Sequence, residues 1–269
     1  KKGKYHMNDR NAIREQVQRL LAAYKAGRLG GEKMPEDENP HLDPASGENY
    51  LYFTLPMALN YQRNSYRLWE CANRMYADPA GRALFDPVRV MQTDDETLRR
   101  ILVQYRVALQ PNRHPAIWKT LCRTFAEPFG GDVRVFLRQS HFRAAKVKAY
   151  IAAHKKDFPY LGGTKISNYW LHVLEAYTDC RFSDRENISI APETHVLRAS
   201  ARLGVLTEDE LHGGSAQTLA AKRWDALLEG TGLLPTDLHT PLWLWSRGGF
   251  SADINDEPQQ AQKGNHHGK

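Results

Sequence analysis

Ile13, Val17, Leu20, Leu21 and Tyr24 recur at three- and four-residue intervals, so residues 8–28 read as an amphipathic helix. From Asn49 the stretch NYLYFTLPMALNYQRNSYRLWECANRMYA is apolar almost all round. It predicts a buried helix begun near Leu55-Pro56, where proline fits a first turn. Helical periodicity returns at 93–109, 114–126 and 141–155, while VRVF (133–136) reads as a short extended piece or a helix start. Ile166, Tyr169, Trp170, Val173, Leu174 and Tyr177 mark another helix, followed by ETHVLRASARLGVL and by helices at 207–212 and 215–229. LPTDLHTPLWLWSRGG supplies a late aromatic anchor. Between these, GRLGGEKMPEDENPHLDPASGE is rich in Gly, Pro and acids and reads as a connecting loop. INDEPQQAQKGNHHGK reads as a disordered tail. Strand signals are few and no solenoid period is present, so the expected class is all-α.

Composition narrows the function classes. A chain of 269 residues, 41% hydrophobic and 25% charged, can build a large core. No apolar run approaches the roughly eighteen residues of a membrane span. The polar N-terminus carries no secretory pattern. The formal charge of +6 and pI near 9.2 favour a polyanionic partner. Cys71, Cys122 and Cys180 are scattered and odd in number, which argues for a reducing, intracellular compartment. They also exclude a four-cysteine iron–sulfur cluster within this chain. No His, Cys and carboxylate spacing reads as a zinc site, so neither metal nor cofactor is expected.

One short stretch carries candidate chemistry. In DFPYLGGTKISNYW, two adjacent glycines precede Thr164, a plausible N-cap, and Lys165 in the first helical turn. Glycine permits positive φ and close backbone approach, and free N–H groups at a helix start attract phosphate. A lysine there faces the positive end of the helix dipole, and a deprotonated lysine amine is a nucleophile. Downstream, Glu193 opens the helix THVLRASAR, where an acid is either dipole-stabilising or a base or charge stabiliser for a reaction.

FRAAKVKAYIAAHKKDFPYLGGTKISN followed by PETHVLRASARLG resembles the helix-hairpin-helix DNA glycosylases of the endonuclease III and 8-oxoguanine glycosylase type, nearest the archaeal GO glycosylase branch. The likeness spans roughly residues 50–250. It implies two helical lobes flanking a DNA-binding cleft, with the helix-hairpin-helix motif at their junction. The lobes would be 50–165, and 8–49 with 166–250, before a tail at 251–269. It implies a catalytic lysine at Lys165 and a catalytic acid at Glu193. It also implies a gap-filling amide at Gln62, in FTLPMALNYQRN, with Asn60 or Asn64 as neighbours. Leu161, Gly162, Gly163 and Thr164 would grip a phosphate. Arg143 and Lys146, with Arg134, Arg138, Lys148 and Lys155, would flank it. Trp69, Trp170, Trp243 and Trp245, with Tyr52 and Phe53, are candidates for stacking on a flipped base.

Three departures from the family pattern stand out. The acid is Glu rather than Asp. It follows Lys165 by 28 residues, longer than in endonuclease III, and Asp184 lies in that insertion as a second candidate acid. The turn reads L-G-G rather than G-V-G. The expected function is a monomeric DNA N-glycosylase, with or without lyase activity, acting on duplex DNA. It would excise an oxidised base or an enzymatically hypermodified base of the phage type, in repair or in defence. The alternatives are an N-glycosidase of a modified nucleoside, as in queuosine salvage, and a non-catalytic helix-hairpin-helix DNA-binding module.

Overall fold

A computed structural model describes residues 7–255. Residues 256–269, which hold most of the expected tail, lie outside the described residues. Among the described residues the chain forms fourteen α-helices and four 3-10 turns, with no strand.

Several helices start where a short polar side chain meets a first-turn N–H. Ser46, Asn64, Asp86, Asp94, Asp132 and Thr207 each accept a backbone hydrogen bond at an N-cap. The apolar stretch 49–77, where a buried helix is expected from near Leu55-Pro56, is divided. It forms a helix Gly47–Tyr52, a 3-10 turn Pro56–Leu59 and a helix Ser65–Ala77. Pro56 lacks an N–H to continue the first helix, and Asn64 restarts the chain. The ambiguous VRVF begins the helix Val133–Gln139. Tyr24, expected on the apolar face of Met7–Lys25, is exposed.

The buried apolar residues form two hydrophobic clusters. The first is drawn from residues 50–191 and contains Trp69, Trp118, Phe125, Phe136 and Trp170. The second joins the N-terminal helix to residues 190–254 and contains Val17, Leu20, Val196, Trp224 and Leu242. The chain passes between them at Ile190-Ala191 rather than at Lys165, because Trp170, Leu171, Val173 and Leu174 all point into the first. The first residues of the expected tail also pack: Ile254 is buried, and the Trp245 indole donates to the Ala252 carbonyl at 3.0 Å.

The acid-rich segment 26–49 is more than a connection. Its acids tie down phenols of the first core: Tyr177 donates to Asp37 at 2.8 Å and Tyr76 to Glu48 at 2.7 Å. Glu36, in the 3-10 turn Pro35–Asp37, is fully buried.

Candidate active site

The helix Ala144–Ala153 leads through turns at 154–163 into the helix Thr164–Tyr177. The N-cap is Gly163 rather than Thr164, in extended geometry and without a side chain to cap the helix. Neither Gly162 nor Gly163 uses positive φ; the left-handed residue of the turn is Tyr160, at φ 61. Gly162 is there for lack of a side chain. A Cβ at that position would lie 3.0 Å from the Phe158 carbonyl oxygen and 3.2 Å from the Ile151 Cγ2.

Three of the four residues expected to grip a phosphate have N–H groups already in use. The N–H groups of Leu161, Gly162 and Gly163 donate to Pro159, Phe158 and Tyr160 carbonyls inside the turn. The N–H groups of Thr164, Lys165 and Ile166 open the helix and have no helical acceptor, as the first turn of any helix requires. Leu161 is fully buried in the first core, so it offers nothing to a ligand. Thr164 and Lys165 are exposed and line an open groove of about 710 Å³ with Lys148, Lys155 and Tyr160.

Gln62 sits beside this turn. The rings of Tyr61 and Tyr160 stack in parallel with centroids 3.8 Å apart. The exposed Arg113 guanidinium lies 4.9 Å from the Tyr160 ring centroid. Arg63 donates to the Val107 and Arg106 carbonyls, Ser65 donates to Asn60, and Asn64 caps Ser65–Ala77. The two neighbouring amides are therefore occupied. Gln62 itself is exposed at φ 49, and its side chain makes no hydrogen bond among the described residues.

Of the expected basic flank, Arg138, Lys146 and Lys155 are exposed. Arg143 is exposed at the start of Ala144–Ala153, with its Nε 4.0 Å from Asp184. Arg134 is held by Asp132 and the Ala45 carbonyl. Lys148 is half-buried and donates to Asn168 and to the Asn187 carbonyl. These last two charges are used internally.

The two candidate acids occupy different surroundings. Asp184 is buried and accepts from the N–H groups of Ala144 and Ala145, the latter at 3.0 Å, and from the Asn187 amide at 3.2 Å. It caps the helix Ala144–Ala153 from 40 residues away. Glu193 holds the N-cap position of Thr194–Arg202 yet makes no capping bond. Its carboxylate turns inward, placing Oε1 3.6 Å from the His239 Nε2, and Oε1 is buried without a hydrogen-bond partner. Burial pushes the Glu193 carboxyl up to about 7, against the pull of the Lys165 ammonium and then of Trp243.

Behind Glu193 lies a polar cluster that the sequence did not reveal. Glu36 Oε1 accepts from the Trp69 indole at 3.0 Å and from the Tyr169 hydroxyl at 2.8 Å. Burial raises Glu36 to about 7, and the nearby charge of Glu193 adds to the rise. The Tyr169 ring centroid is 5.0 Å from that of His239, which is 4.8 Å from that of His172. Burial drives His172 down to about 4 and His239 well below its ordinary range, so both imidazoles are neutral at pH 7.

The four tryptophans divide in the same way. Trp69 holds Glu36, and Trp243 adjoins Glu193 with its ring 4.8 Å from that of His195. Trp170 donates to Thr54 in the first core and Trp245 packs on Phe250, so both are structural. Tyr52 and Phe53 are likewise core residues, packed on one another with ring centroids 5.1 Å apart.

No family model matches this chain, and no curated protein matches it significantly.

Proposed function

We propose that this protein is a DNA N-glycosylase whose reacting groups are Lys165 and Glu193. One observation carries the reading: the charge of the exposed Lys165, at the start of its helix, acts on the partly covered Glu193, whose Oε1 is buried without a hydrogen-bond partner. A lysine whose charge reaches an acid with a raised pKa suits acid–base and nucleophilic work at neutral pH. A module that only grips phosphate has no use for a desolvated acid behind its lysine. The resemblance to lysine-bearing helix-hairpin-helix glycosylases supports the same roles.

In this reading the exposed Gln62 enters the space left by an extruded nucleotide, and the Thr164–Ile166 N–H groups and Arg113 hold the strand. The Lys165 ammonium gives a proton to solvent, and the free amine attacks C1′ as the base departs with the bonding pair and takes up a proton from solvent. Glu193 stabilises the developing positive charge and accepts the proton that the amine gives up. Ring opening then yields a Schiff base.

Borohydride trapping on duplexes carrying a panel of oxidised and hypermodified bases tests this. A covalent adduct is expected with the wild type and none with Lys165→Gln. Base release that survives Lys165→Gln but not Glu193→Gln would assign attack to water instead. Base release untouched by both substitutions would refute the assignment.

A further inference from the structure

Four buried polar atoms around Glu193 lack partners: Glu193 Oε1, Glu36 Oε2, and both ring nitrogens of His239. They are linked through Tyr169, whose hydroxyl bonds Glu36 while its ring faces His239, and His239 in turn faces Glu193. Buried polar atoms are ordinarily paired, so a group of this size marks a place completed by something polar. Glu36 is the most committed member. Its Oε1 already takes two donors, which favour the anion against the burial that raises its pKa to about 7, and its Oε2 is left without a partner. The neutral imidazole of His239 adds one N–H donor and one acceptor, whichever tautomer it holds. Glu193 is only partly covered while Glu36 and His239 are enclosed, so Glu193 is the member of the group nearest solvent.

We infer that Glu36 and His239 read the edge of the extruded base, with Glu36 Oε2 accepting from an edge N–H and His239 engaging the acceptor beside it. This rests on the glycosylase reading and deepens it by naming the substrate class. On this inference the enzyme takes bases altered at carbon, whose edge N–H groups are intact, and rejects bases alkylated at the edge nitrogen. A missing donor would leave the buried Glu36 Oε2 unpaired, and a site built to bond a donor discriminates strongly against an analogue lacking it.

The test is binding of free bases to the full chain loaded with a duplex containing a tetrahydrofuran abasic analogue. Quenching of tryptophan fluorescence reads it, since Trp69 contacts Glu36 and Trp243 adjoins Glu193. The probes are two matched pairs, hypoxanthine with 1-methylhypoxanthine and uracil with 3-methyluracil. In at least one pair the unmethylated base should bind tenfold or more tightly, and Glu36→Gln should level the two. Should Glu36→Gln fail to fold, the wild-type comparison still decides, and Tyr169→Phe, which removes one donor from Glu36, should narrow the gap. Equal binding within both pairs overturns the inference, as does discrimination that survives Glu36→Gln. Duplex binding with no response to any base also overturns it while leaving the glycosylase reading to the trapping experiment. Failure of both duplex binding and trapping removes the two together.

Discussion

Glu193 Oε1 lies 3.6 Å from His239 Nε2, and the contact is no ion pair, because burial holds that imidazole neutral. The cation acting on Glu193 is Lys165. If the anion of Glu193 stabilises charge at the sugar, base release should rise with pH through a midpoint near 7. Single-turnover rates between pH 5 and 9 check this. Glu193→Gln should abolish the acid limb and lower the plateau by about 10²–10⁴-fold, the usual range for a positioned acid or base. A profile that is flat through pH 7 in the wild type would count against Glu193.

Asp184 should behave differently. Its oxygens satisfy the first N–H groups of the helix Ala144–Ala153, and a lost cap costs about 1–2 kcal/mol. Asp184→Ala should therefore lower the midpoint of urea unfolding while leaving the single-turnover rate of the folded fraction within a few-fold of wild type. A rate loss comparable to that of Glu193→Gln would reverse the assignment of the two acids.

These two acids show what was legible from sequence. Periodicity exposes helices because burial repeats with the helical turn, and the motif around Lys165 is local, so both could be read along the chain. Burial of a single polar side chain is set by tertiary packing and leaves no local pattern. Glu36 stands in PEDENP, a segment whose composition says loop, and nothing nearby distinguishes it from Asp37 or Glu38. His172 and His239 meet only because helices 67 residues apart in sequence pack together. Leu161 illustrates the opposite error: expected to grip a phosphate, it folds into the core, while Tyr160 beside it is only partly covered and takes left-handed geometry.

The Tyr61–Tyr160 stack couples the Gln62 loop to the turn before Lys165. Stacked pairs of this kind are worth about 0.5–1.5 kcal/mol beyond their burial. Tyr61→Ala should leave the chain folded but loosen Gln62 relative to Lys165, weakening binding to an abasic-analogue duplex by about tenfold, since 1.4 kcal/mol is one decade. Gln62→Ala should lower base release without changing the melting temperature. Fluorescence anisotropy and thermal melts separate the two effects, and unchanged duplex affinity in Tyr61→Ala would mean that the stack is only structural.

The adjacent glycines should respond oppositely to substitution. Gly162→Ala forces a Cβ against the Phe158 carbonyl and Ile151, and such overpacking costs about 1–3 kcal/mol. Gly163 has extended φ and ψ open to any residue and stands at an uncapped helix start. Gly163→Asp should add a cap and a favourable dipole contact, raising stability by about 0.5–1 kcal/mol. The same carboxylate would repel a backbone phosphate, so duplex affinity should fall as stability rises. Parallel gains in both would argue that the Thr164–Ile166 N–H groups do not meet DNA.

Glu36 also predicts a pH dependence of stability whose sign can be fixed. Its carboxyl titrates near 7 when folded and near 4.5 otherwise, so the folded state holds the proton more tightly. That contribution is fully present below about pH 4.5, is lost as pH rises through 7, and is constant above. Its size is on the order of 3 kcal/mol. His172 works in the other direction: unfolded chains bind its proton between about pH 4 and 6.5, and the folded chain does not. Stability in that window is therefore a balance between a buried acid and buried imidazoles. Glu36→Gln keeps an oxygen for Trp69 and Tyr169 but removes the Glu36 share of the balance and leaves that of Glu193. Urea unfolding should show the variant equal to wild type near pH 4.5 and increasingly more stable toward pH 8. A variant that is less stable than wild type at pH 8 would mean that Glu36 enters the fold as a stabilising anion and not as a strained one.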